Sequence, residues 1–255
     1  PDAIRNQRLS YDQGMDAFDE GGAPEVSIAG GEPLLHRDMP RIVKGYIAKK
    51  KFVILCTNAL LLKKKIGDYQ PSPFFTWSIH LDGDKGMHDH AVDQDGTYEV
   101  AIEAIELAKA KGFRVQVNCT VFDGASSDRL AGFFDEMEKR GVEITISPGY
   151  AYERAADQEH FFNRERTRNF FRDVFRTGDS GKAWTFTNSP LFLAFLAGHT
   201  VVRRGAVAGS NWCTTFHPEQ AVRERLGHGF EVVDFVREGA KGNPVQDLTL
   251  LRKTG

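Results

Sequence analysis

Chemistry-bearing residues recur at the ends of short apolar runs in this 255-residue sequence. They are Gly30-Gly31-Glu32-Pro33, Cys56-Thr57-Asn58, the series Ser78, His80 and Asp82, Asn118-Cys119, and Ser147-Pro148-Gly149-Tyr150. Two adjacent glycines let a backbone come close to a ligand, because no Cβ intervenes. Their carbonyls can accept from a ligand ammonium group, Glu32 adds a negative charge, and Pro33 stops a strand from extending. The same four residues also read as a plain turn. Polar groups buried without partners cost stability. A polar ligand with many donors and acceptors is therefore the economical reason for so many at one end.

Two further readings start from side-chain type. His80, Asp82, His88, Asp89 and His90 lie close together and could form a metal-hydrolase site, but no His-x-His or His-Glu-x-x-His pattern accompanies them. No metal ligand is assigned. Cys56 reads either as an apolar filler or as a functional thiol beside the glycine-rich turn. Asn118 and Cys119 are adjacent on a strand, so alternation sends them to opposite faces. If Asn118 faces a ligand, Cys119 faces the core.

The elements that must position these groups alternate. Ser10 and Gln13 have capping-box spacing and open a helix with Met15, Ala17 and Phe18 toward a core; Gly21-Gly22 closes it. Strands are predicted at EVSIAG, FVILCT, FFTWSIHL, FRVQVNCTVF and EITISP. Helices are predicted over Asp38 to Lys50, in a short Leu- and Lys-rich segment, over Thr97 to Lys111, Asp128 to Arg140 and Arg164 to Arg176. Asp82 to Gly96 reads as a polar loop. Strand and helix alternating with short connections specify parallel βαβ units, in a barrel or an open sheet, whose chemistry sits at the C-terminal ends of the strands. Because the chain opens on a helix, a strand is expected upstream.

The bulk numbers exclude some classes. Net charge is −2, which gives no electrostatic basis for a nucleic-acid partner. Cys56, Cys119 and Cys213 are odd in number and widely spaced, which suits a reducing compartment. The apolar run around Leu191 to Ala197 is far short of the roughly 20 residues of a membrane span. The chain begins at Pro1 with no signal peptide, and a truncated start is the expectation. Phe161, Phe162, Phe170, Phe171 and Phe175 cluster; they read as core or as walls of a cavity for a large apolar ligand.

GGEP after one strand, TNALLL after the next and SIHLDGDKGMHD after the third resemble, in that order, the radical S-adenosylmethionine (SAM) superfamily. PDAIRNQRLS, VSIAGGEPLLH, LCTNALLLKKK, SPFFTWSIHLDGDKGMHD, GFRVQVNCTVF and SPGYAYERAADQ narrow the resemblance to the hopanoid-biosynthesis radical SAM family. It runs from Pro1 to about Gly198. The resemblance implies an α/β fold, a partial (β/α)6 TIM-like barrel with its first strand missing. It implies S-adenosyl-L-methionine and a [4Fe–4S] cluster as cofactors. Gly30, Gly31 and Glu32, with Pro33, would take the amino group of SAM. Ser78 and Asn118 would contact its carboxylate or ribose, aided by Asn58 and Asp82, and Ser147 to Gly149 would hold adenine. The family joins the 5′-deoxyadenosyl group to the alkene of diploptene. The substrate radical left by that addition needs a hydrogen atom, and Cys56, whose predicted strand end faces the SAM pocket, is the expected catalytic thiol. Implied partners are a small apolar polycyclic lipid and an electron donor such as a flavodoxin or ferredoxin. The implied location is cytoplasmic, or peripheral at the inner membrane surface.

Two departures stand out. The family's Cys-x-x-x-Cys-x-x-Cys motif would lie immediately before Pro1, so the cluster ligands are missing from these residues. Residues 199–255 form a tail that does not match the family. Alternatives from the same residues are another radical SAM enzyme, of peptide or cofactor maturation, and a non-catalytic SAM-binding remnant.

Overall fold

A computed structural model describes residues 9–149, 164–178, 184–188, 190–197, 201–203, 214–216, 230–240 and 246–253. Tyr150, Phe161, Phe162 and Cys213 lie outside the described residues. The chain divides into two compact units. One comprises Pro1–Asn163 with Asp173–Asn188, the other Arg164–Arg172 with Ser189–Gly255.

The first unit begins with helix α1 (Tyr11–Gly21), whose cap is reciprocal: Ser10 Oγ accepts from Gln13 N and Gln13 Oε1 accepts from Ser10 N. Gly22 closes it at φ 60°, a left-handed conformation that glycine adopts without a Cβ penalty. Gly14, Met15 and Phe18 are buried. Ala17 is exposed, contrary to expectation, because at 100° per residue it falls off the stripe that Gly14, Met15 and Phe18 share.

Five strands follow: β1 (Glu25–Ile28), β2 (Phe52–Thr57), β3 (Phe75–His80), β4 (Arg114–Val121) and β5 (Glu143–Pro148). They lie side by side in chain order, and every pair is parallel. Between them run α2 (Met39–Ala48), α3 (Leu62–Lys65), α4 (Lys85–Ala91), α5 (Thr97–Ala110) and α6 (Ser127–Lys139). The expected parallel α/β partial barrel is the fold observed. The polar loop expected over Asp82 to Gly96 contains α4. Its signal was Asp84, whose Oδ1 caps the helix by accepting from Met87 N. A seven-residue helix has no room for an apolar period.

The two faces of this sheet differ in chemistry. One carries Val53, Leu55, Phe75, Trp77, Ile79, Val115, Val117, Cys119, Ile144 and Ile146, all buried. Burying such side chains stabilises by roughly 1.5–3 kcal/mol each, and this face packs the fold. Alternation puts the other residues opposite. In register across the strands, these are Ser27 and Ile54, Cys56 and Ser78, Ser78 and Gln116, His80 and Asn118, Asn118 and Thr145, and Thr120 and Ser147. Most of that face is hydroxyl, thiol, amide and imidazole.

The outer edge of β5 is covered. Ile144 N donates to Thr185 O, Thr187 N donates to Ile144 O, and Asn188 pairs with both backbone groups of Ile146. Among the described residues β1 has no strand beyond it. Helix α7 (Arg164–Gly178) extends two residues past its expected end. Farther on come α8 (Pro190–Leu196) and two antiparallel pairs, β6 (Val201–Arg203) with β7 (Thr214–Phe216) and β8 (Phe230–Ala240) with β9 (Gln246–Lys253). Phe171 and Leu196 are core.

Candidate functional site

After β1 the chain turns through Gly30 at φ 93° and Gly31 at φ 31°. A Cβ built on either glycine meets no atom of the described residues within 4 Å, so this backbone is open on that side among them. Glu32 then caps a single turn of 3-10 helix, Pro33–Leu35, with Pro33 at its start. Its carboxylate has a different role from the free counter-charge read in the sequence. Oε1 accepts from Leu34 N and from Thr57 Oγ1, each at 2.9 Å, and Oε2 accepts from Asn58 N at 3.0 Å. Glu32 thus ties the glycine turn to the end of β2, and what the turn offers a ligand is its backbone.

The end of β2 is equally constrained. Thr57 Oγ1 accepts from Ala59 N, and Asn58 Oδ1 accepts from Leu60 N. Ala59 takes a left-handed φ of 65°, a strained conformation for a residue with a Cβ. Cys56, the last residue of β2 on the polar face, is half-buried, and its Sγ lies 3.6 Å from Ser27 Oγ. Cys119 is fully buried on the apolar face, where desolvation pushes its thiol well above the ordinary range. The two cysteines face opposite sides, as alternation requires.

On β3 the structure separates Ser78 from His80. Ser78 is 3% exposed and its hydroxyl accepts from Gln116 Nε2, so it sits below the strand end with a partner already in place. His80 is the group that reaches the end, with its side chain 38% exposed. Its Nε2 lies 2.8 Å from Asp82 Oδ2, and Asp82 Oδ1 accepts from Thr120 N. Asp82 therefore braces His80 and the tip of β4. The Asp82 hydrogen bond raises the His80 imidazole above its ordinary pKa, against the opposing effect of burial. His88 accepts from Asp82 N through Nδ1, and burial pushes its pKa down, favouring the neutral ring. In the sequence His80 stands among the strand-end polar groups and as a candidate metal ligand, and the ligand contact on this strand is expected of Ser78. The missed signal was strand alternation, which puts Ser78 and His80 on one face with His80 nearer the mouth.

The remaining members line up beside it. Asn118 is half-buried in register with His80, and its side-chain amide has no hydrogen bond among the described residues. Ser147 is likewise half-buried at the end of β5. Gly149 N donates to Val121 O, and a Cβ on Gly149 would fall 2.7 Å from Phe122 Cδ1, so glycine lets these segments touch. The histidine-rich loop is structural. Asp89 accepts from Gly96 N, Thr97 Oγ1 and Tyr98 N and so holds the start of α5. Among the described residues no group of three or more His, Cys, Asp and Glu is arranged to hold a metal ion.

A family profile described as the radical SAM superfamily matches residues 7–137. A second, described as a domain of unknown function (DUF3463), matches residues 144–216. The chain belongs to the radical SAM superfamily. Members use SAM with a [4Fe–4S] cluster. Among curated proteins the chain is similar to GTP 3′,8-cyclase 1 of Mycobacterium tuberculosis, with 28% identity over 51% of this chain and 38% of that protein. It is also similar to GTP 3′,8-cyclase of Aliarcobacter butzleri, with 28% identity over 55% of this chain and 45% of that protein. The chain thus spans less than half the length of these relatives. In fold it resembles Streptococcus suis SuiB bound to its precursor peptide SuiA (TM-score 0.61, 16% identity, 75% of this chain and 44% of that one). SuiB bound to SAM gives TM-score 0.60 at 15% identity, over 73% of this chain and 44% of that one.

The open glycine backbone, the unpaired Asn118 amide and the half-exposed His80 suit a ligand as polar as SAM. The cluster is a different matter. Cys56 and Cys119 face opposite sides of the sheet, so these two and Cys213 do not form a set of three thiolate ligands.

Proposed function

We propose that the chain is the SAM-holding part of a hopanoid-biosynthesis adenosyltransferase, which adds the 5′-deoxyadenosyl group to the alkene of diploptene to give adenosylhopane. SAM, when bound with a reduced cluster, supplies the adenosyl group for carbon–carbon bond formation. In this reading Gly30 and Gly31 receive the ligand ammonium through backbone carbonyls, with Glu32 and Pro33 fixing the turn and Asn58 bordering it. Asn118 donates from the facing strand with Ser78 beneath it, Asp82 holds the tip of β4, and Ser147 to Gly149 bound the adenine side. This work is assigned to residues 1–198, the extent of the hopanoid-family resemblance, and none of it to residues 199–255.

The observation that carries the reading is the placement of Cys56. It is half-buried on the polar face, at the strand end next to the glycine turn. Addition to an alkene leaves a substrate carbon one hydrogen atom short. The Cys56 S–H bond breaks, a substrate C–H bond forms, and the sulfur is left one electron short. One electron from a flavodoxin- or ferredoxin-type donor and one proton restore the thiol. The long string resemblance to the hopanoid family supports the substrate class. An apolar lipid substrate would place the enzyme at the cytoplasmic membrane surface; among the described residues no helix is long and apolar enough to cross a membrane.

The similarity to GTP 3′,8-cyclases favours a second reading, a radical SAM enzyme of cofactor maturation. The test uses the cluster-loaded holoenzyme with reductant, SAM and either diploptene or GTP. Adenosylhopane from diploptene, with Cys56→Ala still cleaving SAM but yielding at least tenfold less reduced product, is the expected outcome. Turnover of GTP, or undiminished product from Cys56→Ala, would overturn the assignment.

A further inference from the structure

Among the described residues, the Cys56 thiol has its hydrogen-bond partner in the hydroxyl of Ser27, with Oγ 3.6 Å from Sγ. The two residues face each other diagonally across neighbouring strands: Ser27 of β1 is in register with Ile54, and Cys56 of β2 lies two residues farther on. The other neighbours on the polar face offer the sulfur less. Ile54 is apolar, and the hydroxyl of Ser78, in register with Cys56, already accepts from Gln116 Nε2 at 3.2 Å. Ser27 is exposed, so its hydroxyl is within reach of solvent, whereas Cys56 is half-buried.

A thiol and a hydroxyl can share one hydrogen bond in two ways. If the thiol donates, its hydrogen is held on Ser27 and is not presented to a substrate. If the hydroxyl donates, the S–H hydrogen is free to be transferred. We infer that Ser27 is a positioning residue for Cys56: its hydroxyl donates to the sulfur and leaves the S–H hydrogen for the substrate radical. This inference rests on the role proposed for Cys56 above. The steps after transfer require the same orientation. The S–H bond breaks as the substrate C–H bond forms, and one electron from the flavodoxin- or ferredoxin-type donor turns the sulfur radical into a thiolate. A thiolate has no hydrogen to give, so Ser27 is then the donor, and hydrogen bonds to a charged acceptor are the stronger kind. Solvent at the exposed hydroxyl supplies the proton that restores the thiol.

The test uses the cluster-loaded holoenzyme with reductant, SAM and diploptene. It reads reduced adenosylated product per SAM cleaved, a ratio that does not depend on how much cluster is loaded. Ser27→Ala is expected to lower this ratio about fivefold, the scale of one hydrogen bond. Ser27→Thr keeps a hydroxyl on a residue that suits a strand and is expected to restore most of it. In a Cys56→Ala background, Ser27→Ala is expected to change nothing further, because residues that act as a unit are not additive. Three results overturn the inference and leave the Cys56 assignment standing: an undiminished ratio in Ser27→Ala, a Ser27→Thr ratio no higher than that of Ser27→Ala, or the same loss with and without Cys56. An undiminished ratio in Cys56→Ala, or no adenosylated product from the wild type, overturns both. Circular dichroism melts of Ser27→Ala confirm that folded protein is compared.

Discussion

Asp84 shows how one short side chain decides a local structure. It caps α4 through Met87 N and accepts from Arg129 Nε at 2.7 Å. The Arg129 guanidinium holds its carboxyl below the ordinary carboxylate range. A depressed folded pKa stabilises above the unfolded value and loses that contribution as pH falls through the folded one. Asp84→Ala is expected to lower unfolding free energy by roughly 1 kcal/mol at neutral pH, the usual worth of a lost cap, since the half-exposed ion pair adds little. In urea melts the deficit should shrink toward strongly acidic pH; a deficit constant with pH would contradict the assignment. Legibility at this scale was uneven. The opposite facing of Asn118 and Cys119 could be read from alternation alone, as could the strand-end position of Cys56. The commitments of Glu32 and Asp82 could not, because their partners, Thr57 and Asn58 for one and Thr120 for the other, are distant in sequence and become neighbours only through sheet register.

Elements cooperate at the mouth through Glu32. One carboxylate joins the turn after β1, the 3-10 turn that follows it and the end of β2. Glu32→Ala leaves three donors without this acceptor, and a buried donor left unsatisfied costs about 1–3 kcal/mol. Thr57 is 4% exposed and cannot turn easily to water. The variant is expected to fold, to melt at lower temperature, and to bind SAM more weakly than Glu32→Gln, which keeps the shape and an acceptor oxygen. Equal affinity of Glu32→Ala and wild type in calorimetry would show that the turn keeps its form unaided. The order of strands and helices was legible because long apolar periods and closing glycines mark them. Helix α4 was not, since a short helix held by a cap and by packing has no period to display.

At the scale of the whole molecule, the cysteine inventory sets what this chain can do alone. Treated anaerobically with iron and sulfide, then given reductant and SAM, it is expected to show no cluster absorbance in the visible and to form no 5′-deoxyadenosine; robust formation of either would mean that ligands other than a thiolate triad suffice. The two-faced sheet has another consequence, which concerns descent. Selection for a stable fold acts on one set of alternating positions, and selection for reactivity acts on the other. Exchanging Ser27, Cys56, His80, Asn118 or Thr145 disturbs few of the apolar contacts under the helices, so lineages can drift to new substrates along one parity while the other parity holds the architecture still. Identities near 28% with GTP 3′,8-cyclases, over 51% and 55% of this chain, are of the size such a division of labour allows.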